Sequence, residues 1–218
     1  MLELKKGEED ALKVETFKVG PLATNCYLLT DKKTNKMAII DPGGISSKLD
    51  EKLTQGGKCE YIILTHGHFD HIRKVNRYQN LTGAKVVANE DEINLIKDSD
   101  LNLSKDFCSR PIEEFKVDLA LKNNDSIYLG DIEIKMLSTP GHTAGSACFM
   151  TSGLIFSGDT LMKSSIGRTD FKTGNSKDMI ESVKKLAMLK GQYIIYPGHG
   201  EFTDLFSEKQ NNPYFNLR

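Results

Sequence analysis

Three of the five histidines of this chain fall within the segment 66–71, which also contains an aspartate. The other two, His142 and His199, each follow a Pro-Gly pair. Imidazole nitrogens and carboxylate oxygens are ligands that suit zinc, iron and manganese. So many of these groups so close together would otherwise have to be buried without adequate partners. The pattern therefore predicts a centre for divalent cations.

The spacing within the segment favours two cations over one. His66 and His68 are two residues apart, so both rings can reach one ion, whereas the adjacent pair Asp70 and His71 diverges from them. The predicted ligands of the first metal are His66, His68 and His142, those of the second are Asp70, His71 and His199, and Asp159 is predicted to bridge the two. Three protein ligands leave an open position for water, which is typical of a catalytic metal.

Each of the more distant ligands has an ordinary alternative. A lone His142 or His199 is more often a satisfied polar residue than a ligand, and an aspartate after a glycine, such as Asp159, usually forms a turn or caps a helix. The joint occurrence of these residues with the 66–71 segment is what favours the metal interpretation.

Short apolar strands are predicted directly before the candidate ligands. They are residues 61–64 before His66, 134–137 before His142, 154–156 before Asp159 and 193–196 before His199. Loops at one edge of a packed sheet can meet at one point, and binding residues concentrate on such loops. The sequence therefore predicts an α/β fold in which strand ends deliver the ligands.

The remaining pattern predicts strands alternating with helices. The other predicted strands are 12–19, 25–30, 37–40, 85–88, 126–129, 132–137 and 147–150, and the predicted helices are 46–53, 71–79, 91–97 and 178–188. Residues 98–117 show little periodicity. This stretch, with Phe107 and Phe115, is interpreted either as a lid over the substrate or as a passive surface loop.

Length and composition indicate one ordinary globular domain spanning residues 1–218. The net charge of −1 gives no sign of a nucleic-acid partner, and no apolar run is long enough for a membrane span. Residues 1–10 are charged and lack the core of a signal peptide, so a cytoplasmic protein is expected. Cys26 and Cys148 lie in apolar runs and are predicted to be reduced and buried. Oligomeric state is not readable from the sequence.

Segment 65–71 resembles the HxHxDH signature of the metallo-β-lactamase superfamily. Segments 41–44, 139–143, 156–160 and 196–199 are similar to that superfamily's other motifs and occur in the same order, so the resemblance covers nearly the whole chain. It implies an αββα four-layer sandwich with the metal site at one edge of the two sheets. It also implies two divalent metal ions, zinc in the first place, with iron or manganese as alternatives.

Among the branches of this superfamily, three resemble the sequence less than the glyoxalase II group does. Typical β-lactamases lack an aspartate like Asp159, flavodiiron enzymes place a glutamate where His68 stands, and the RNA-processing nucleases carry inserted domains. Segments 167–171 and 212–214 resemble the short, single-domain branch of the glyoxalase II group. The resemblance implies a hydrolase that cleaves a small thioester, of the hydroxyacylglutathione kind, or a small ester through a metal-bound hydroxide.

Two rival functions remain beside thioester hydrolysis. Full-length glyoxalase II enzymes continue into a C-terminal helical domain that grips glutathione, and the chain is expected to lack it because the sequence stops soon after His199. The thiol carrier therefore stays open. Persulfide dioxygenases share nearly all these motifs but use a single iron, and they are the main alternative. A catalytically idle metal-binding or interaction module is the third.

Four residues are given roles around the ligands. Asp70 is predicted to position the hydroxide as well as to bind metal. Asp41 is predicted to accept a hydrogen bond from a ligand histidine, or else to be a turn residue before a proline. Arg168 and Asp170 are predicted to bind substrate at the mouth of the site, where the arginine could grip a carboxylate. An ion pair between these two is the alternative.

Overall fold

Two six-stranded sheets packed face to face form the centre of the protein, and helices cover both outer surfaces. The computed structural model describes residues 11–216. The predicted four-layer αββα architecture is confirmed. Predictions for residues 1–10 lie outside the described residues. Among residues 11–216, no helix is both long and apolar enough to cross a bilayer.

The strands of the first sheet follow one another in chain order. They are β1 (Leu12–Val19), β2 (Thr24–Asp31), β3 (Met37–Ile40), β4 (Cys59–Ile63), β5 (Lys85–Asn89) and β6 (Leu119–Leu121). The first three strands pair antiparallel, and β3 to β6 pair parallel. The parallel half carries β4, the strand that leads into the histidine-rich segment 66–71.

The second sheet is mainly antiparallel, in the order β14-β13-β10-β9-β8-β7. Its strands are β7 (Ser126–Leu129), β8 (Ile132–Ser138), β9 (Ala147–Thr151), β10 (Leu154–Gly158), β13 (Ile194–Pro197) and β14 (Thr203–Asp204), and a separate small hairpin consists of β11 (Leu161–Met162) and β12 (Ser165–Ile166). Strands β10 and β13 run parallel. Their carboxyl ends therefore lie at the same edge, where Asp159 and His199 follow.

Seven α-helices and two short 3-10 helices, Glu90–Glu92 and Pro213–Asn216, occur within the described residues. The α-helices, in chain order, are α1 (Ser47–Gln55), α2 (Phe69–Ile72), α3 (Val75–Thr82), α4 (Ile93–Lys97), α5 (Ser104–Phe107), α6 (Ser176–Ala187) and α7 (Leu205–Asn211). The side chain of Ser46 caps α1, and that of Asn175 caps α6 by accepting two backbone N–H groups of the first turn. Helix α6 begins two residues before its predicted start. The prediction followed apolar residues, and the cap and the first turn of this helix are polar.

Three apolar clusters separate the layers. The cluster between the sheets joins Ile40 and Val87 of the first sheet to Ile134, Phe149 and Phe156 of the second. A second cluster packs α1 and α3 onto the outer face of the first sheet, and a third packs α6 and α7 onto the second. Burial of apolar surface on both faces of both sheets stabilises them and makes their strand edges a rigid platform for loops.

Some elements differ from those that the sequence predicts. The predicted helix 71–79 is two helices, because the chain turns after α2 and the N–H of Lys74 donates to Pro42 O. Strand β6 and helices α5 and α7 were not predicted, since each is short and partly polar. Cys26 and Cys148 are buried and unpaired, as predicted.

Candidate metal centre

Loops that follow four strands converge at one edge of the two sheets. His66 follows β4, His142 follows β8, Asp159 follows β10 and His199 follows β13. Backbone hydrogen bonds join these loops directly: the N–H of Ala147 donates to Thr65 O, and the N–H of Gly198 donates to Gly158 O. The convergence therefore depends on the strand ends and on contacts between the two sheets.

All seven residues predicted as metal ligands lie in this cluster. Their ligand atoms form three groups, each within 4.8 Å: His66 with His68 and His142, His66 with His71 and Asp159, and Asp70 with His71 and His199. The first and third groups have the same members as the two predicted sets. The second group brings Asp159 together with His66 and His71, one residue from each set.

Short distances join the members of the first set to Asp159. His68 Nδ1 lies 2.9 Å from His142 Nε2, and His142 Nε2 lies 3.5 Å from Asp159 Oδ2. In the second set, His199 Nε2 is 3.2 Å from Asp70 Oδ2 and 3.3 Å from His71 Nε2. Asp159 Oδ1 is 3.6 Å from His71 Nε2, so this carboxylate reaches both sets.

Outer hydrogen bonds orient three of the imidazoles. His71 Nδ1 donates to Asp41 Oδ2 at 2.9 Å, and His142 Nδ1 donates to Arg168 O at 2.7 Å, because each partner can only accept. Thr65 Oγ1 donates to Asp41 Oδ2 and lies 3.2 Å from His66 Nδ1, which donates to it. All three rings thus have Nδ1 engaged away from the cluster and Nε2 available to it.

Three buried polar atoms of the cluster have no hydrogen-bond partner. They are His66 Nε2, His68 Nε2 and Asp159 Oδ1. A buried acceptor without a donor is unfavourable. A divalent cation satisfies such atoms, and a donor set of nitrogens and carboxylate oxygens is one that zinc, iron and manganese accept. The residues present therefore fit divalent metal ions.

The ionisation of the cluster without metal follows from burial and from neighbouring charge. Burial, and then the neighbouring imidazoles, hold the pKa of His66 well below its usual range and lower that of His68 to about 3. Burial opposes protonation of His71, but the carboxylates of Asp70, Asp41 and Asp159 outweigh it and raise the pKa of His71 to about 10. Three carboxylates around one ring show that the site requires positive charge.

In the metal-free protein, His68 and His71 should make stability depend on pH in opposite directions on the two sides of pH 6.5. Between pH 6.5 and about 3, the unfolded chain binds a proton at His68 that the folded chain does not bind, so stability falls with acid. Between pH 6.5 and about 10, the folded chain keeps a proton on His71 that the unfolded chain has lost, so stability falls as pH rises, by up to about 1.4 kcal/mol per pH unit. Urea denaturation of the metal-free protein at a series of pH values across this range measures the free energy of unfolding on both sides of pH 6.5. The variant His71→Gln should lose less stability between pH 6.5 and about 10 than the wild type, with part of the loss kept by His199, whose pKa is also raised. An unchanged loss would contradict the prediction.

Arg168 and Asp170 lie beside the cluster but bind each other. The guanidinium donates to both carboxylate oxygens, at 2.9 and 2.7 Å, and both side chains are exposed. The structure thus shows the ion pair that was the alternative, and substrate contact stays a prediction. The guanidinium also lies over the ring of Phe171, 4.6 Å from its centroid.

Phe171 was not singled out as a site residue. Its ring meets the imidazoles of His68 and His142 edge-on, with centroids 5.1 and 5.7 Å apart. It therefore forms an aromatic wall beside the first ligand set. Its place directly after the Arg168–Asp170 motif was the only signal for this role in the sequence.

Residues at the start of β2 support the second ligand set. Thr24 Oγ1 donates to Asp70 Oδ2 at 2.8 Å, and Asn25 Nδ2 donates to Pro197 O at 3.0 Å. The hydroxyl of Tyr27 donates to Pro197 O as well. These contacts fix the loop that carries His199. No local pattern reveals them, since the partners are far apart in sequence.

The stretch 98–117 contains both a fixed and an exposed part. Phe115 packs partly buried against the core of the first sheet, so it is not available as a lid. Phe107 stacks on Phe69, next to His68, with 63% of its surface exposed. The lid remains a prediction for the part of the stretch around Phe107.

Comparison with known proteins places this geometry in a family. Residues 19–199 match the family described as the metallo-beta-lactamase superfamily. The probable metallo-hydrolase YqgX of Bacillus subtilis is 31% identical over 209 residues, which cover 94% of this chain and 98% of that protein. The hydroxyacylglutathione hydrolase GloC of Haemophilus influenzae is 30% identical over 212 residues, which cover 95% of this chain and all of that protein.

Solved structures agree with the sequence relatives. The B3 metallo-beta-lactamase BLEG-1 superposes with a TM-score of 0.86 at 32% identity, covering 94% of this chain and 100% of that chain. The protein TTHA1623, solved in a di-iron-bound form, superposes with a TM-score of 0.80 at 30% identity, covering 92% and 99%. Similar proteins thus include a hydroxyacylglutathione hydrolase by name, a B3 metallo-beta-lactamase and a protein solved in a di-iron-bound form.

Proposed function

The chain belongs to the metallo-β-lactamase superfamily, and from this premise we propose that it hydrolyses a small thioester with two divalent cations. One observation carries the proposal: the carboxylate of Asp159 lies close to histidines of both ligand sets. The similarity to a hydroxyacylglutathione hydrolase supports a thioester of a hydroxy acid over other substrates. A small ester is the nearest variant of the same chemistry.

We assign the ligands as the sequence predicts them. His66, His68 and His142 would hold the first cation, Asp70, His71 and His199 would hold the second, and Asp159 could bind both. Two divalent cations held there would lower the pKa of bound water and polarise a carbonyl oxygen. Zinc is proposed first, and the di-iron form of TTHA1623 makes iron the main alternative.

The residues of the chain hold the reacting groups in place. Thr24 orients Asp70, whose pKa lies below the usual range because His71, His199 and the Thr24 hydroxyl outweigh its burial. Asp70 therefore stays ionised and can accept a hydrogen bond from the attacking water. We place the thioester carbonyl beside Phe171. Attack of hydroxide on the carbonyl carbon forms a C–O bond and breaks the C–S bond, which gives a carboxylic acid and a thiolate. With a thiol pKa of about 8.5, the thiolate can leave without a general acid and takes up a proton from solvent afterwards.

The experiment that tests the proposal is a substrate panel on protein reconstituted separately with zinc, iron and manganese. It contains S-lactoylglutathione, other thioesters, small esters, a β-lactam and glutathione persulfide, the last with oxygen uptake as readout. We expect thioester cleavage that disappears on chelation and returns with metal. Metal-loaded protein that cleaves no thioester would contradict the proposal.

A β-lactam is included because of one specific observation, the similarity to BLEG-1 at 32% identity. The expectation that Asp159 disfavours β-lactam hydrolysis therefore needs a direct measurement. Steady oxygen uptake with the persulfide, without thioester cleavage, would instead favour the dioxygenase that uses a single iron. The structure holds two adjacent sets of ligand residues, which supports two cations. This arrangement counts against a dioxygenase with a single iron.

Truncation of Phe171 to alanine should weaken substrate binding without removing metal. The ring contacts both His68 and His142 and supports Arg168, so its loss opens one wall of the site. We expect kcat/KM to fall about 10-fold, mainly through KM, since removing apolar contacts of this size changes discrimination by about 1–3 kcal/mol. Steady-state kinetics and metal analysis test this. Phe202→Ala, at a ring that is 68% exposed, is the control, and equal losses in both variants would contradict the role of Phe171.

A further inference from the structure

We propose that Glu92 is a positioning residue of the metal centre, whose carboxylate fixes the loop of His66 and His68 against the loop of His142. No motif of the sequence pointed to it, and it is not itself near enough to the cluster to count among the ligands. The inference rests on the proposed function, because it concerns the affinity of the first cation site.

The two oxygens of Glu92 bind two different loops. Oε1 accepts the N–H of Gly67 at 2.7 Å, and Oε2 accepts the N–H of Gly145 at 2.8 Å. Gly67 lies between His66 and His68, and Gly145 lies three residues after His142. One carboxylate therefore ties together the two loops that supply all three histidines of the first set, and neither of these two hydrogen bonds involves the loop of His199.

Close packing leaves the loops little freedom around this carboxylate. A Cβ atom on Gly145 would lie 2.5 Å from both Glu92 N and Glu92 Oε2, and one on Gly67 would lie 2.7 Å from a methyl of Leu95. From the same segment, Asn89 Nδ2 donates to Gly145 O at 3.0 Å. Both loops thus rest directly on residues 89–95, and the position of Glu92 sets their separation.

The chemistry of the contact requires a carboxylate. Glu92 is 1% exposed, and within residues 11–216 no lysine, arginine or histidine forms an ion pair with it. Two peptide N–H groups face its two oxygens. A glutamine of the same shape has one acceptor oxygen and one NH2 group, so one N–H would face another donor. Glu92→Gln should therefore loosen one loop with almost no change in volume.

Chelator competition on Glu92→Gln measures the effect on metal binding. We expect the affinity for the zinc ion at the first site to fall about 10–100-fold, which is the range found when groups that orient metal ligands are changed. The affinity for the zinc ion at the second site should stay within about threefold of the wild type. The Co²⁺-substituted protein gives a second readout, since its visible absorption reports the geometry at each site. If Glu92→Gln does not fold, Glu92→Asp, whose shorter side chain cannot reach both loops, takes its place.

Glu208→Gln is the matched control. Glu208 is also a buried carboxylate, 2% exposed, and it accepts the N–H of Ser164 at 2.9 Å, but none of its hydrogen-bond partners is adjacent to a proposed ligand. Both variants should lower the thermal unfolding temperature of the metal-free protein. Only the variant at Glu92 should lower a metal affinity.

The outcomes separate this inference from the proposed function. A selective loss of one metal affinity in Glu92→Gln, absent in Glu208→Gln, supports it. Unchanged affinities in Glu92→Gln, or parallel losses in both variants, overturn it while the proposed function stands. A wild-type protein that binds no divalent cation overturns both.

Discussion

Replacement of Asp159 by asparagine should lower kcat/KM for the thioester at least about 100-fold, because changes behind metal ligands already cost about 10–100-fold. The same variant should hold fewer metal ions than the wild type, measured by elemental analysis after dialysis. Both effects should appear without unfolding, since the amide has nearly the volume of the carboxylate.

The expected size follows from the position of the Asp159 carboxylate. Its Oδ1 lies 3.6 Å from His71 Nε2, and its Oδ2 lies 3.5 Å from His142 Nε2 and 3.7 Å from His199 Nε2. No other carboxylate of the described cluster is this close to histidines of both sets. An amide has one acceptor oxygen and no charge, so it cannot bind two cations and offset their repulsion.

Asp170→Asn is the matched control for Asp159→Asn. Asp170 lies near the same opening, but its carboxylate is exposed and pairs with Arg168. We expect Asp170→Asn to keep its full metal content, because the Asp170 carboxylate is not among the clustered ligand groups. If Asp159→Asn retained full metal content and activity, Asp159 would not be a bridging ligand.

The ligand loops could be predicted because their signals are local. The short spacing of His66 and His68, and a glycine beside each distant histidine, are visible in the sequence without any tertiary information. The strands before His66, Asp159 and His199 contain short apolar runs, and β8 alternates buried apolar residues with the exposed Glu133 and Lys135. Both patterns are easily recognised in a sequence. Strand β3, Met37–Ile40, accordingly has its predicted bounds.

The supporting residues could not be predicted because their partners are distant in sequence. Thr24 is 46 residues from Asp70, and Glu92 is 53 residues from Gly145. In the sequence, Thr24 and Glu92 look like ordinary polar residues. Only the tertiary packing brings them into hydrogen-bond contact with the loops that carry the ligands. The break between α2 and α3 was missed for the same reason, since it depends on the contact of Lys74 with the loop before α1.

Asp41→Asn should lower activity about 100-fold or more, because it changes the tautomer of a metal-binding histidine rather than its position. Asp41 accepts three hydrogen bonds: Oδ1 from the N–H of Thr65 at 2.8 Å, and Oδ2 from the Thr65 hydroxyl at 2.6 Å and from His71 Nδ1 at 2.9 Å. Its φ of +52° is one that asparagine also adopts, so the backbone is not strained by the substitution.

An asparagine cannot accept all three bonds. With its NH2 group at the position of Oδ2, it donates to His71 Nδ1 and moves the ring proton to Nε2, the atom that faces His199 and Asp70. With its NH2 group at the position of Oδ1, it opposes the N–H of Thr65. In a serine protease, the same exchange beside the catalytic histidine lowers kcat about 10⁴-fold through the wrong tautomer.

Thr65→Val distinguishes the two histidines that depend on Asp41. The Thr65 hydroxyl links Asp41 to His66 Nδ1, whereas His71 bonds to Asp41 directly. Thr65→Val should therefore weaken only the first cation site, and Asp41→Asn should weaken both, as measured by chelator competition for each metal. Equal metal affinities in Asp41→Asn and the wild type would show that Asp41 is only a turn residue before Pro42.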